Sequence, residues 1–341
     1  MASFVSCTLE TDGEIQAITS VAQEGVDQDS DNNGSTNGGD STSNPATTST
    51  EVSSSAERET ARLDYIENFV GSAVSDPEWS GSNSGCNAGS IPEAVNDKVI
   101  QRINYLRRLV GLNDNCTLDR SWNAAMQECV LVMDANNRIS HSPSSSWSCY
   151  TSSAYTIAQK SNLSQGNHSV NAVMSQIRDR GNHNKAVGHR RWILFSRQLK
   201  YAHGSTDNFQ ALAVINLDFG NTNFPEYHAY PAEGFMPQNI VYDRWSFSIP
   251  GLGNDLQGSQ ISFQSASVEM TGPTGEEVSL NIIHREQTLA DKTIVWEPQG
   301  IVRSGEGDKT YTITISGIQG APSSSYTYTT TLFNPDVQYN D

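Results

Sequence analysis

The period at which apolar residues recur changes along the chain, and this change constrains the fold more than any other feature. Within 94–112, 119–136 and 169–179, apolar residues recur at steps of three and four, the period of an amphipathic helix on a core. Within 311–315 and 326–333 they alternate with Thr at a step of two, which is typical of strands. The sequence therefore predicts an α+β protein in which helices come first and strands follow.

The helical periods define the first domain. Helical periodicity begins near residue 58, the domain extends to about residue 220, and a short apolar run at 209–217 predicts a largely buried strand. Helices combined with a few late strands indicate an α+β domain, and a three-layer α/β/α sandwich is the more specific expectation.

The period-two segments define a second domain over 241–341. Gly and Pro turn signals separate several short strands, which predicts an all-β sandwich of immunoglobulin type with Trp245 and Trp296 as core rings. The segment 221–240 is rich in aromatic residues and Pro, and we expect it to pack between the two domains.

Residues 1–57 form an acidic leader that differs from the rest of the chain. They hold ten carboxylates and no Lys or Arg, and these ten negative charges leave −7 of the total net charge of −17 for residues 58–341. The leader is also rich in Ser, Thr, Asn and Gly, so we expect a disordered tether. The acidic balance argues against a nucleic-acid partner, and no apolar stretch approaches the ~18 residues of a transmembrane span.

Within the leader, Asp29, Asp31, Asn33 and Asp40 have the spacing of oxygen ligands in a calcium-binding loop. The last ligand position holds Asp instead of a bidentate Glu, and no amphipathic helix follows. Short Asp, Asn and Gly runs match this pattern by composition alone, so the linker interpretation is favoured over a calcium site.

The cysteines indicate an oxidising compartment. No pair has C-x-x-C spacing, which argues against a thiolate metal cluster. Cys86, Cys116, Cys129 and Cys149 lie close together in the sequence and predict two disulfides in a protein that is extracellular or at the cell surface. Sequence order suggests Cys86–Cys116 and Cys129–Cys149, one of three possible connectivities.

Cys7 is then left over, and two interpretations of it stay open. The preceding residues lack the basic region and long apolar run of a signal peptide, but an apolar residue and a small one before Cys are similar to the end of a lipoprotein signal. Cys7 is either a lipid-anchored N-terminus followed by the tether, or an unpaired Cys in a disordered tail.

Histidines are the main candidates for chemistry, because H-E-x-x-H is absent and the nearest approach to G-x-S-x-G, residues 81–85, has Asn at the nucleophile position. His141 lies in Ser-His-Ser-Pro and His189 in Gly-His-Arg-Arg-Trp-Ile-Leu. The remaining histidines are expected at exposed loop or strand positions without a role; they are His168, His183, His203, His228 and His284.

Several motifs in a fixed order carry a family resemblance. They are Asn104 and Arg107 in the first predicted helix, Leu118, Ala125 and Cys129 around the second, Ser-His-Ser at 140–142 and Gly-His-Arg at 188–190, followed by Trp192-Ile-Leu194. Together, over about residues 94–217, they resemble the CAP superfamily, the family of cysteine-rich secretory proteins, antigen 5 and pathogenesis-related protein 1.

The resemblance implies an α/β/α sandwich with a central cleft, in which two His and two acidic residues can hold a divalent cation, zinc above all. His141 and His189 match the two histidines. Ser161, beside Asn162, stands where the family has its first acid, and Asp179 is the nearest candidate for the second. Arg190 would lie at the cleft entrance. Alternatively, both imidazoles are buried and hydrogen-bonded, without metal or chemistry.

These expectations favour a secreted or surface-tethered binding module, without enzymatic activity, for an extracellular partner. Its ligand would be a divalent cation, a small apolar molecule such as a lipid, or a protein. One alternative is a metal-assisted hydrolase or peptidase that uses His141 and His189. Another is an adhesion protein that acts through the sandwich, with the first domain as a scaffold.

Overall fold

The computed structural model describes residues 49–215, 217–251, 260–286 and 290–338. Its helices are α1 (Ser49–Asp64), α2 (Glu93–Leu109), α3 (Asn123–Ala135), α4 (Ser152–Ala158), α5 (Ser169–Arg178) and α6 (Gly188–Ile193). The predicted α+β class is confirmed, since these helices are combined with antiparallel and mixed sheets.

The first sheet has the strand order β1-β3-β4-β2. Its strands are β1 (Thr117–Leu118), β2 (Ser161–Gln165), β3 (Lys200–Ser205) and β4 (Phe209–Ala213), and only the β1–β3 pair is parallel. Alternate residues face opposite sides: Tyr201 and Leu212 pack with α2 and α5, whereas Ala202 and Ala211 pack with α3 and α4. Helices therefore cover both faces of this sheet.

A close approach of α3 to β3 depends on glycine. A Cβ on Gly204 would lie 2.7 Å from the backbone of Met126, so only a residue without a side chain lets the helix pack at this distance.

Two further four-stranded sheets follow. One has the order β5-β7-β10-β9 and the other β6-β12-β11-β8. Their strands are β5 (His228–Tyr230), β6 (Gly234–Pro237), β7 (Trp245–Ile249), β8 (Ser267–Thr271), β9 (Leu280–Glu286), β10 (Lys292–Pro298), β11 (Lys309–Ser316) and β12 (Ser325–Phe333). The sheets pack face to face, as the ring contacts of Trp245 with Tyr311 and of Phe247 with Tyr328 show. Trp245 and Trp296 are fully buried, as predicted.

The segment 221–240 contributes one strand to each of these sheets, because β5 pairs with β7 and β6 pairs in parallel with β12. One continuous apolar core includes Val99 of α2, Ile177 of α5, Phe247 of β7 and Tyr328 of β12. The two parts of the chain are therefore packed against each other along this core.

The prediction of disorder for the whole leader is wrong for its last part, since α1 begins at Ser49. The physical reason is a tertiary anchor at Arg58, which is 3% exposed, pairs with Asp308 at 2.9 Å and donates hydrogen bonds to the carbonyl oxygens of Asn334 and Val337. Residues 1–48, with Cys7 and the four calcium-loop candidates Asp29, Asp31, Asn33 and Asp40, lie outside the described residues.

The predicted disulfide connectivity is also wrong. The structure contains a Cys86–Cys149 bond, with the two Cα atoms 5.2 Å apart, while Cys116 and Cys129 are buried free thiols. Cys116 packs on the α2 side of the first sheet and Cys129 on the α3 side, so the sheet separates them. Each therefore serves as a small core residue.

No helix in the described part of the chain combines the length and the apolar character that a membrane crossing requires.

Candidate functional site

The turn between α5 and α6 fixes the position of His189. Asp179 ends α5 in the left-handed conformation, with φ of 51°, and Val187 precedes α6 in the same conformation, with φ of 43°. Asp179 Oδ1 lies 2.7 Å from His189 Nδ1, and its Oδ2 accepts a hydrogen bond of 3.0 Å from the His189 backbone N–H. Asp179, which is 1% exposed, therefore fixes the imidazole ring through one oxygen and the backbone of His189 through the other.

The Asp179 carboxylate also changes the acidity of His189. Burial of the ring disfavours its charged form, but the negative charge of Asp179 and the hydrogen bond to it outweigh this effect. The pKa of His189 is consequently raised above its usual value, which favours the imidazolium.

His141 lies in the loop after α3 and is half-buried. Its Nδ1 is 2.9 Å from the carbonyl oxygen of Ala158, which can only accept, so Nδ1 carries the proton. Burial and the charge of nearby His189 lower the pKa of His141. This imidazole is therefore neutral at pH 7, with the lone pair on Nε2.

The two imidazoles present complementary groups. Neither Nε2 atom has a hydrogen-bond partner among the described residues, and neither belongs to the fully buried unpartnered atoms there, so each is open to solvent. Nε2 of His141 accepts a hydrogen bond, whereas Nε2 of protonated His189 donates one.

The predicted zinc ligands His141, His189 and Asp179 do not form a metal site. In the described part of the chain, no three His, Cys, Asp or Glu side chains are placed to hold a metal ion together. Asp179 uses both oxygens on His189, and Ser161, at the position of the missing acid, is buried and donates its hydroxyl proton to the Ile157 carbonyl oxygen at 2.9 Å. The donor set thus does not fit zinc.

The residues predicted to line the cleft are buried and hydrogen-bonded to the backbone of other segments. Asn162 on β2 is 3% exposed and donates a hydrogen bond of 3.1 Å to the carbonyl oxygen of His189. Arg190 does not lie at a cleft entrance, because it is 1% exposed and reaches the second part of the chain. Its guanidinium donates to the carbonyl oxygens of Ile177 and Arg244 at 2.7 and 2.8 Å and stacks on the ring of Tyr230.

Two of the histidines expected at exposed positions are buried instead. His203 on β3 has its Nδ1 2.9 Å from Asn96 Oδ1, and His228 on β5 has its Nε2 3.0 Å from Asp291 Oδ2. Asp291 also accepts hydrogen bonds from the hydroxyl and backbone N–H of Ser196, so it joins the two parts of the chain. No spacing pattern in the sequence could have found these partners, since 107 and 63 positions separate the members of each pair.

The chain matches no protein-family model, no curated protein and no solved structure. Its function is therefore inferred from the residues described above.

Proposed function

We propose that the protein is an extracellular or surface-tethered binding module of the CAP type, followed by an immunoglobulin-like sandwich, and that His141 and His189 bind its ligand. The CAP resemblance favours a lipid or sterol, and the two imidazoles suit a hydroxyl group. A hydroxyl is the smallest group that donates a hydrogen bond to one imidazole and accepts one from the other.

The architecture supports this proposal. A sheet with helices on both faces agrees with the sandwich that the resemblance implies. In the second part, β5-β7-β10-β9 and β12-β11-β8 follow the orders ABED and GFC of immunoglobulin domains, with β6 added beside the last strand. The Cys86–Cys149 disulfide supports an oxidising compartment.

The observation that carries the proposal is the arrangement of the four ring nitrogens. Each Nδ1 is fixed, one by Asp179 and the other by the Ala158 carbonyl oxygen, while each Nε2 is free. Rings fixed in this way lose little freedom when a ligand binds.

Fluorescence titration with dehydroergosterol tests the proposal, with its acetate as the matched ligand that lacks the hydroxyl proton. We expect saturable binding of the sterol and about tenfold weaker binding of the acetate, because one hydrogen bond is lost. His141→Ala and His189→Ala should weaken sterol binding by a similar factor, whereas His183→Ala, at an exposed histidine, serves as the control. Equal affinities for all variants would contradict the proposal.

A second candidate function has one specific observation in its favour. The pKa of His141 is lowered and that of His189 is raised, so between these two pKa values a neutral base and a protonated acid coexist. This combination is typical of acid–base hydrolysis of esters or peptides.

Assays of the purified chain with p-nitrophenyl acetate and with casein test this candidate. Hydrolysis with a bell-shaped pH profile, lost in both His141→Ala and His189→Ala and retained in His183→Ala, would favour the hydrolase over the binding module. Absence of hydrolysis, or equal rates in all variants, would exclude it for these substrate classes.

A further inference from the structure

A pocket of about 230 Å³ lies between the beginnings of α2 and α3, and neither His141 nor His189 lines it. His203 of β3 lines it together with residues of both helices and of the preceding loop; these are Gly89, Ser90, Ile91, Asn96, Asn123, Ala124 and Gln127. Its volume is below the ~300–1,000 Å³ of sites for drug-sized molecules, so it can take a ligand of about one sugar ring.

Asn96 brings an unused donor to this pocket. The residue is 2% exposed, and its Oδ1 accepts a hydrogen bond of 2.9 Å from His203 Nδ1. The amide nitrogen of Asn96 has no hydrogen-bond partner among the described residues, and it is not one of the unpartnered atoms there that are closed to solvent. A ligand that accepts a hydrogen bond would therefore pair this donor. His203 Nε2 is closed to solvent, so this ring forms part of the pocket wall.

The lining of the pocket is uncharged. Burial and the nearby positive charge of Arg120 lower the pKa of His203 to about 3, so its ring is neutral. Arg120 itself is paired with Glu93 and with Asp97, the latter at 2.9 Å, which compensates its charge. An ionic ligand would find no charged partner among the lining side chains, whereas a neutral ligand would lose little hydration energy.

The remaining lining groups suit hydroxyls and C–H groups. The amides of Asn96 and Asn123 can both donate and accept, and no protein partner is seen for the Asn96 amide nitrogen or for the Asn123 side chain among the described residues. Gln127 is fixed by two hydrogen bonds to Ser205, so it forms part of the wall. Ile91 and Ala124 add apolar surface, which the C–H face of a sugar ring can cover.

The loop over the pocket is held in place. The Cys86–Cys149 disulfide ties it to the loop before α4, and Trp79 Nε1 donates a hydrogen bond of 2.8 Å to the Ala88 carbonyl oxygen. Gly89, with φ of 59°, packs so closely on Gly81 that a Cβ would lie 2.2 Å from its backbone nitrogen. The pocket is therefore formed before any ligand arrives, which favours binding.

We infer that this pocket is a binding site for a neutral monosaccharide, with the Asn96 amide nitrogen donating a hydrogen bond to a sugar hydroxyl. The site is independent of the function proposed for His141 and His189.

The test is an NMR titration of the full chain with glucose, galactose, mannose and N-acetylglucosamine, each at millimolar concentration. We expect at least one sugar to bind saturably, with the largest shifts at the side-chain amides of Asn96 and Asn123. Ala124→Trp, at an exposed lining position, should fill the pocket and reduce affinity at least tenfold without unfolding the protein. Ala73→Trp, at an exposed alanine outside the pocket, is the matched control.

Two outcomes would overturn the inference. One is the absence of binding for all four sugars, and the other is binding that Ala124→Trp leaves unchanged. His141→Ala and His189→Ala should bind the sugar like the parent chain. Failure of the sterol titration would therefore not contradict the sugar site, and failure of the sugar titration would not contradict the sterol site.

Discussion

The Asp179 carboxylate decides the charge of the candidate site. In Asp179→Asn, the amide oxygen can still accept a hydrogen bond, but the negative charge is gone. We expect the pKa of His189 to fall below its usual value, because the effect of burial is then opposed only by a hydrogen bond to a neutral amide. An NMR titration of the His189 ring checks this, with His183 as the internal reference. An unchanged pKa would contradict the role given to Asp179.

The same residue pair gives stability a defined dependence on pH. The folded pKa of His189 lies above its unfolded value, so its contribution to stability is fully present below about pH 6.5 and is lost as the pH rises through the folded pKa. We expect His189→Gln to lower the free energy of unfolding by more below about pH 6.5 than above the folded pKa of His189. Urea unfolding on both sides of neutrality measures this, with His183→Gln as the control. A pH-independent cost would contradict it.

The family resemblance predicted His141 and His189 as candidate residues, and the structure leaves one ring nitrogen of each free. The resemblance also pointed to Asp179, which the structure places beside His189 as a group that orients the ring instead of a metal ligand. His203 and His228 could not be judged in the same way. Their burial depends on Asn96 and Asp291, which folding brings from distant parts of the chain.

The loop over the proposed sugar site depends on one covalent bond. Cys86 and Cys149 are separated by 63 positions, and a disulfide that closes a loop of this length contributes about 4 kcal/mol in the chain-entropy model. We expect Cys149→Ser to lose about 2–4 kcal/mol of unfolding free energy, with faster proteolysis within 79–90. Thiol labelling of the denatured, unreduced chain should modify Cys116 and Cys129 but not Cys86 or Cys149. Labelling of Cys86 would contradict this connectivity.

Helix α1 depends on an anchor that no periodicity reveals. Arg58 connects it to Asp308 and to the backbone after β12, and it stacks on Phe333. We expect Arg58→Ala to release the helix and to expose 49–64 to trypsin and chymotrypsin, with a loss of about 2 kcal/mol in stability. Limited proteolysis followed by mass spectrometry checks this, and Arg62→Ala, whose Glu59 partner lies in the same helix, is the control. Equal cleavage of both variants would be inconsistent with the anchor.

Elements with a strong period were predictable, and those held by tertiary contacts were not. The periods within 94–112 and 119–136 correspond to α2 and α3, and those within 311–315 and 326–333 lie in β11 and β12. The short strands β1, β5 and β6 have too few residues for a pattern to be recognised. Likewise, α1 has the composition of a linker, and its packing against the C-terminal sheets accounts for its order.

The two parts of the molecule share one core, so we expect them to unfold together. Arg190 of α6 reaches the carbonyl oxygen of Arg244, just before β7, and Asp291 joins Ser196 to His228. Calorimetry should show a single transition, and Arg190→Met should shift it with a loss of about 2–4 kcal/mol, because buried carbonyl oxygens lose their donors. Two separate transitions in the parent chain would refute this.

Asp179 connects His189 to the second part of the chain, because its side chain and its backbone carbonyl oxygen have different partners. Its carboxylate holds His189, and its carbonyl oxygen accepts a hydrogen bond of 2.6 Å from Arg244, which belongs to the second part of the chain. A force that pulls the second part away from the first would displace the group that maintains the charge on His189. We therefore expect mechanical separation of the two parts to lower the pKa of His189 and to favour loss of its proton.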